Sequence, residues 1–147
     1  MLDVAYQAVT DLAPGTLAKI DEDRGRIRVR LDKNASLADV VPQLNIEIDV
    51  LMRSARWFQL WEDEIVSCNT PSRPLRIVYV LEKREEDGAY VEELKGLLTV
   101  YIDPDLETAE FAACMNPVTD KHLAGGHWFQ LYDGEIIDNS PEPMSQV

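Results

Sequence analysis

The stretch that organises this sequence occurs twice: residues 57–71 read WFQLWEDEIVSCNTP, and residues 128–141 read WFQLYDGEIIDNSP. In an extended chain, successive side chains point to opposite faces of a sheet. The Phe and Leu of each copy therefore belong to one face, and the aromatic residues and Gln belong to the other. Because Asp133-Gly134 is typical of a two-residue hairpin turn, we predict that each copy forms a strand, a tight turn and a short returning strand.

The second face of these ribbons has an unusual composition. Its members are Trp57, Gln59, Trp61, Trp128, Gln130 and Tyr132. Aromatic rings with a few amides among them are typical of surfaces that bind a peptide or another protein. If the two copies are neighbouring strands, we predict that these six residues form one partner-binding surface. Packing beneath a loop or a second sheet layer is the alternative.

The chain of 147 residues has a formal net charge of −13, which is unevenly distributed. Residues 1–60 hold 8 basic and 9 acidic side chains, whereas residues 61–147 hold 6 basic and 18 acidic ones. An acidic surface repels nucleic-acid phosphates and anionic lipids and attracts basic chains. We therefore expect a basic or amphipathic protein partner and neither nucleic acid nor a membrane, although acidity also serves solubility alone.

The length suits one domain, which we expect over residues 1–138, followed by a flexible tail over residues 139–147. No apolar run reaches the roughly 18 residues that span a bilayer, and the N-terminus lacks the features of a signal peptide. These observations predict a cytoplasmic protein. Two cysteines, Cys68 and Cys114, are too few for a disulfide framework. The sequence leaves open whether the protein forms oligomers.

Four arginines alternate with small or aliphatic residues in a predicted hairpin. They are Arg24, Arg26, Arg28 and Arg30. In an extended strand all four guanidinium groups share one face, where they could bind an anion or pair with carboxylates of neighbouring strands. The acidic composition favours internal ion pairs, and the lack of interleaved aromatic residues argues against nucleic acid.

The remaining segments predict an α+β fold. Apolar residues over residues 36–55 have helical spacing, and Pro42 is expected to open the main helix over residues 42–55. Residues 75–83, apolar on both faces, predict a central strand. Residues 108–115 predict a later strand because Ala109, Phe111 and Ala113 alternate, and a helix over residues 107–115 is the alternative. We therefore expect a largely antiparallel sheet of six to eight strands, arranged as hairpins, with one principal helix packed on one face.

A second similarity links Gly15–Asn34 with Gly96–Asn116, because both contain the motif Ile-Asp-x-Asp. Together with the WFQL pair, it predicts an internal repeat in which the helix is inserted only in the first unit. Short strand-turn-strand segments also converge by chance, which is the alternative interpretation.

One cluster could carry chemistry: His122 and His127 lie near Asp133 and Glu135 in sequence. The spacing matches no metal-binding or catalytic motif, so we predict no catalytic residue, no metal and no cofactor. The favoured function is a non-enzymatic interaction protein, such as an inhibitor, an immunity-type protein, an adaptor or an assembly factor. One alternative is a small-ligand-binding or hydrolytic domain centred on His127, Asp133 and Glu135. Another is a structural subunit of a larger complex.

Overall fold

The computed structural model has an α+β fold with two helices in the part of the chain that it describes. The described residues are 3–23, 26–54, 56–61, 64–67, 69–70, 73–74, 76–85, 88–94, 97–124, 128–132 and 135–138. The predicted tail over residues 139–147 lies outside them. No helix within these ranges has the length and apolar character that crossing a membrane requires.

The first half begins with a three-stranded sheet of mixed direction. Its strands are β1 (Asp3–Val9), β2 (Ala18–Asp23) and β3 (Arg26–Asp32). In the order β1-β3-β2, β1 is parallel to β3 and β2 is antiparallel to it. Every second side chain of β3 is buried and faces the core, namely those of Ile27, Val29 and Leu31.

Helix α1 (Leu37–Ser54) follows this sheet. The hydroxyl of Ser36 accepts a hydrogen bond from the N–H of Asp39 at 3.3 Å, which caps the first turn. The helix runs through Pro42 instead of beginning there. Because Pro42 has no N–H, the carbonyl of Ala38 lacks its usual helical hydrogen bond. Both residues are exposed, so water can donate to that carbonyl instead.

Short strands then lead to a second three-stranded sheet. The intervening strands are β4 (Arg56–Trp61), β5 (Glu64–Ser67), β6 (Asn69–Thr70) and β7 (Arg73–Pro74). The second sheet contains β8 (Arg76–Leu81), β9 (Ala89–Leu94) and β10 (Leu97–Ile102). Its order is β8-β10-β9, with β8 parallel and β9 antiparallel to β10, which is the arrangement of the first sheet. The chain ends its described part with α2 (Thr108–Ala124), β11 (Trp128–Tyr132) and β12 (Glu135–Asp138).

Three sequence expectations are corrected here. The strands of the described part of the chain form separate sheets and not one sheet. Two of these sheets are mixed and not antiparallel, since β1 pairs in parallel with β3 and β8 pairs in parallel with β10. Residues 75–83 do not form a central strand, since β8 lies at an edge. A second helix, α2, replaces the strand expected over residues 108–115, so a helix follows the three strands in both halves and not only in the first. Phe111 and Met115, four residues apart, are fully buried, while Ala113 of the expected strand pattern is exposed.

The two halves pack on each other reciprocally. Helix α1 contacts β2 of its own half and β8 of the other half, and α2 contacts β9 of its own half and β1 of the other half. The buried apolar residues of both halves form one cluster, which includes Leu31, Leu44, Ile102 and Phe111. The hydrophobic core is therefore shared between the halves.

Two asparagines, one in each helix, bond to an edge strand of the opposite half. The amide of Asn45 in α1 donates to the carbonyl of Tyr79 at 3.0 Å and accepts from the N–H of Tyr79 at 2.7 Å. Asn116 in α2 makes the same two bonds to Tyr6, at 3.2 and 2.8 Å. Since β1 and β8 are edge strands, each asparagine supplies partners to an edge that no strand pairs. We call these two contacts the asparagine clasps.

The clasped tyrosines also meet each other. The hydroxyl groups of Tyr6 and Tyr79 form a buried hydrogen bond of 2.7 Å. Burial raises the pKa of Tyr6 to about 12 and raises the pKa of Tyr79 well above its usual value. Both hydroxyls therefore stay protonated in the folded protein even in mildly alkaline solution, and their contact joins the two halves.

Candidate functional site

The two WFQL strands are neighbours in a four-stranded sheet. Its order is β12-β11-β4-β5, and every neighbouring pair is antiparallel. The register places Trp128 opposite Gln59, Gln130 opposite Trp57, and Phe129 opposite Phe58. Residues opposite each other in an antiparallel pair belong to the same face. The backbone therefore assigns the tryptophans and glutamines of both copies to one face, and the two phenylalanines to the other.

The returning strands extend the same face at both ends. The register places Glu64 of β5 opposite Trp61, and Glu135 of β12 opposite Tyr132. Strands β4 and β11 run in opposite directions, so these two aromatic–glutamate pairs lie at opposite ends of the sheet. We call the face that contains Trp57, Gln59, Trp61, Trp128, Gln130 and Tyr132 the aromatic face. By register it has an aromatic and amide centre and a glutamate at each end.

The predicted partner-binding role of the aromatic face stays a prediction, because the structure describes the backbone pairing of its strands and no bound partner. In the alternative cluster, Glu135 begins β12, whereas His127 and Asp133 lie outside the described residues. Within the described ranges, no group of three or more His, Cys, Asp or Glu residues is arranged to hold a metal ion.

The arginine stripe lies on β3, on the side opposite the core. Arg28 pairs with Asp3 at 2.9 Å, and Arg30 pairs with Asp21 at 2.8 Å. Arg26 is exposed, and Arg24 lies outside the described residues. Each of the two pairs is partly exposed, so each contributes at most about 1 kcal/mol to stability.

Three side chains among the described residues have clearly shifted pKa values. A hydrogen bond to Asp105 and the charge of Asp103 raise the pKa of Lys83, but this ion pair is fully exposed. The other clearly shifted groups in the described part of the chain are the two clasped tyrosines, which are buried.

Sequence reasoning missed one surface, the outer side of the β8-β10-β9 sheet. Residues 77–81 are apolar at both odd and even positions, which indicated burial on both sides of β8, whereas residues 97–102 alternate, with Leu98, Val100 and Ile102 buried. In the structure Tyr79, Val100 and Ile102 are buried, while Leu97 on the opposite side is 39% exposed. The continuous apolar pattern was the available sign of this second surface.

No protein-family model, curated protein or solved structure matches this chain. Function must therefore be inferred from the geometry and charge of its own residues.

Proposed function

We propose that the protein is a non-enzymatic interaction protein that binds a basic or amphipathic protein partner through the aromatic face. The observation that carries the proposal is the register of β4 and β11, which assigns Trp57, Gln59, Trp128 and Gln130 to one face. An inhibitor, an immunity-type protein, an adaptor and an assembly factor would all act in this way. The proposal places a single domain, residues 1–138, in the cytoplasm.

Aromatic residues suit this role energetically. Each Trp or Tyr side chain buries about 150–250 Å² when covered, and such residues are enriched among those that dominate binding energy. The glutamines supply donors and acceptors that can pair with a partner's backbone. A face of this composition binds a peptide with both apolar area and directional hydrogen bonds.

Charge defines the partner's chemistry. The glutamates opposite Trp61 and Tyr132 lie at the two ends of the face by register. The excess of acidic residues falls in residues 61–147, which include β5, β11 and β12 and only the last residue of β4. Such a field accelerates the association of basic chains and disfavours acidic ones.

We also infer that the chain consists of two copies of one unit. An offset of 71 positions relates Asn45 to Asn116, Trp57 to Trp128 and Glu64 to Glu135. Three strands, a helix and a hairpin follow in the same order in both halves, and the first half adds the two short strands β6 and β7. The reciprocal asparagine clasps support this inference, since each copy would then use the same residue to hold the other.

The test uses a designed probe, a labelled amphipathic helical peptide made of leucine and lysine. We expect it to bind. We expect Trp61→Ala/Trp128→Ala to weaken binding at least about tenfold, because truncating aromatic residues that dominate a binding surface costs about 2 kcal/mol or more. Phe129→Leu, at a register position on the opposite face, is the matched control. Equal affinity of the double variant and the wild-type protein would remove the aromatic face from the proposal.

A further inference from the structure

The two halves meet through equivalent residues. We call residues 1–74 the first unit and residues 75–147 the second unit. Tyr6 lies opposite Val29 in the first unit, and Tyr79 lies opposite Val100 in the second. Because Val29 and Val100 are 71 positions apart, the offset of the repeat, the two tyrosines occupy equivalent positions. Their hydroxyl groups bond to each other at 2.7 Å, so each unit contacts the other with the same residue.

A second pair of equivalent residues meets in the four-stranded sheet. Phe58 and Phe129 are also 71 positions apart, and the register of β4 and β11 places them directly opposite each other. Contact between a residue and its own counterpart is the mark of an isologous interface, in which a twofold axis relates two partners that use the same surface. The tyrosine pair and the phenylalanine pair show this relation in different sheets.

The asparagine clasps obey the same symmetry. Asn45 of the first unit bonds to Tyr79 of the second, and Asn116 of the second unit bonds to Tyr6 of the first. Each unit therefore carries both parts of a clasp, an asparagine in its helix and a tyrosine on its edge strand. Two first units have what both clasps require, because Asn45 of each can bond to Tyr6 of the other. Two second units have it as well.

Each unit also covers apolar residues of the other. The helix of a unit packs on a strand of its own sheet and on the edge strand of the other unit. The buried residues of both units belong to one cluster. A chain of about 70 residues is only marginally stable alone, because it buries only about 60% of its unfolded surface. Pairing with a second unit should therefore accompany folding, as it does in obligate dimers.

We propose that the interface between the halves is a dimer interface held within one chain, and that each unit can use it to bind a second copy of itself. The partner that fits is a unit with an asparagine in its helix and a tyrosine on its edge strand. This inference rests on the two-copy organisation of the chain. It does not depend on the binding of a partner by the aromatic face.

Two differences between the units decide which pairs form most readily. The first unit holds 9 basic and 12 acidic side chains, a net charge of −3, and the second holds 5 and 15, a net charge of −10. Repulsion is therefore weakest between two first units and strongest between two second units. The rings of Tyr6 and Phe111 pack edge to face across the mixed pair, whereas Val40 occupies the position of Phe111 in the first unit. This ring contact favours the mixed pair over two first units.

The test begins with the full chain, in which a protease site is inserted between residues 74 and 75. Cleavage of the folded protein should leave the two units bound to each other in size-exclusion chromatography and native mass spectrometry. Unfolding the cleaved protein in urea and then diluting the urea lets each unit select its partner. We expect mixed pairs and first-unit self-pairs at low salt. Second-unit self-pairs should increase with salt concentration, because salt screens their repulsion.

Substitution of one asparagine discriminates between the pairs. Asn45→Ala removes both clasps from a first-unit self-pair, one clasp from a mixed pair and none from a second-unit self-pair. The ratio of first-unit self-pairs to mixed pairs should fall at least about tenfold, because a buried polar group without a partner weakens association by that factor or more. Asn116→Ala should instead deplete second-unit self-pairs. Ile46→Ala, beside Asn45 but 65% exposed, is the matched control and should leave both ratios unchanged.

Several results would overturn this inference. They are units that separate as soon as the chain is cut, recombination into mixed pairs alone at every salt concentration, or a pair ratio that Asn45→Ala does not change. Second units are identical in the wild-type and Asn45→Ala mixtures, so their self-pairs show whether refolding itself succeeded. Peptide binding by the uncut chain tests the aromatic face separately. Failure of self-pairing and failure of the proposed function are therefore distinguishable.

Discussion

Truncation of Asn116 tests how the two halves hold together. In Asn116→Ala, the N–H and the carbonyl of Tyr6 lose partners at 2.8 and 3.2 Å. Tyr6 is only 5% exposed, so water replaces these bonds poorly. Each buried polar group left without a partner costs about 1–3 kcal/mol, and we expect a loss of about 2–4 kcal/mol in the free energy of unfolding.

That loss is large beside a typical total of about 5–15 kcal/mol. For a chain of this length it should lower the thermal midpoint by about 5–15 °C. Urea unfolding followed by circular dichroism measures the change. Lys121→Ala, on the exposed side of the same helix, is the control and should stay within about 0.5 kcal/mol of the wild-type protein.

A second substitution separates the two bonds of the clasp. Asn116→Asp keeps an oxygen that accepts from the N–H of Tyr6 but replaces the donor that faces its carbonyl. At neutral pH the carboxylate should repel that carbonyl, and protonation at low pH should restore a donor. The destabilisation relative to the wild-type protein should therefore be smaller at low pH. If Asn116→Ala and Asn116→Asp have the same free energy of unfolding as Lys121→Ala, the asparagine clasp does not stabilise the protein and the reasoning fails.

Three further predictions concern buried contacts. Because burial raises the pKa of Tyr6 to about 12 and that of Tyr79 well above its usual value, stability should be complete below about pH 10 and fall as the pH rises through the folded values. Tyr6→Phe/Tyr79→Phe should flatten this fall in urea unfolding at alkaline pH, and an unchanged slope would contradict the assignment. A methyl group at Gly88 would come within 2.9 Å of both the sulfur of Cys114 and Cδ1 of Leu106. Gly88→Ala should therefore lower the free energy of unfolding by about 1–3 kcal/mol in thermal unfolding, and Gly88→Ala/Cys114→Ala should recover the part that is due to Cys114. A wild-type midpoint for Gly88→Ala would show that both side chains can move aside. Thr108→Val removes a 2.6 Å hydrogen bond from a 2% exposed hydroxyl to a carbonyl in the loop before α1, and it should cost about 1–2 kcal/mol; no change in the urea midpoint would show that the bond is dispensable.

Local periodicity was sufficient for part of the fold. The WFQL copies form strands β4 and β11, and helical spacing located α1. The α+β class follows from these elements. Parallel pairing of β1 with β3 and of β8 with β10 was missed, because it joins strands that are not adjacent along the chain and leaves no local pattern.

Helix α2 was missed for a different reason. Ala109, Phe111 and Ala113 alternate as in a strand, and Pro117 discourages a helix interior. Only the burial of Phe111 and Met115 identifies the helical face, and alanines make that face weakly distinct in sequence. Without α2, the role of Asn116 as the counterpart of Asn45 was not predictable.

The candidate site was predictable in its composition but not in its assembly. Alternation alone assigned the tryptophans and glutamines to one face of each ribbon. Whether the two ribbons are neighbours depends on pairing between distant parts of the chain, which the register of β4 and β11 supplies. In β8 the apolar residues at both odd and even positions indicated burial on both sides, whereas Val78 and Val80, on the side opposite Tyr79, are only half-buried.

Intrinsic tryptophan fluorescence tests the aromatic face most directly. The chain has three tryptophans, and all of them, Trp57, Trp61 and Trp128, belong to this face by register. We predict red-shifted emission and free access to acrylamide in the isolated protein, followed by a blue shift and protection when the leucine–lysine peptide binds. Blue-shifted emission that is already protected from acrylamide, and that the peptide does not change, would show that the chain itself covers these rings.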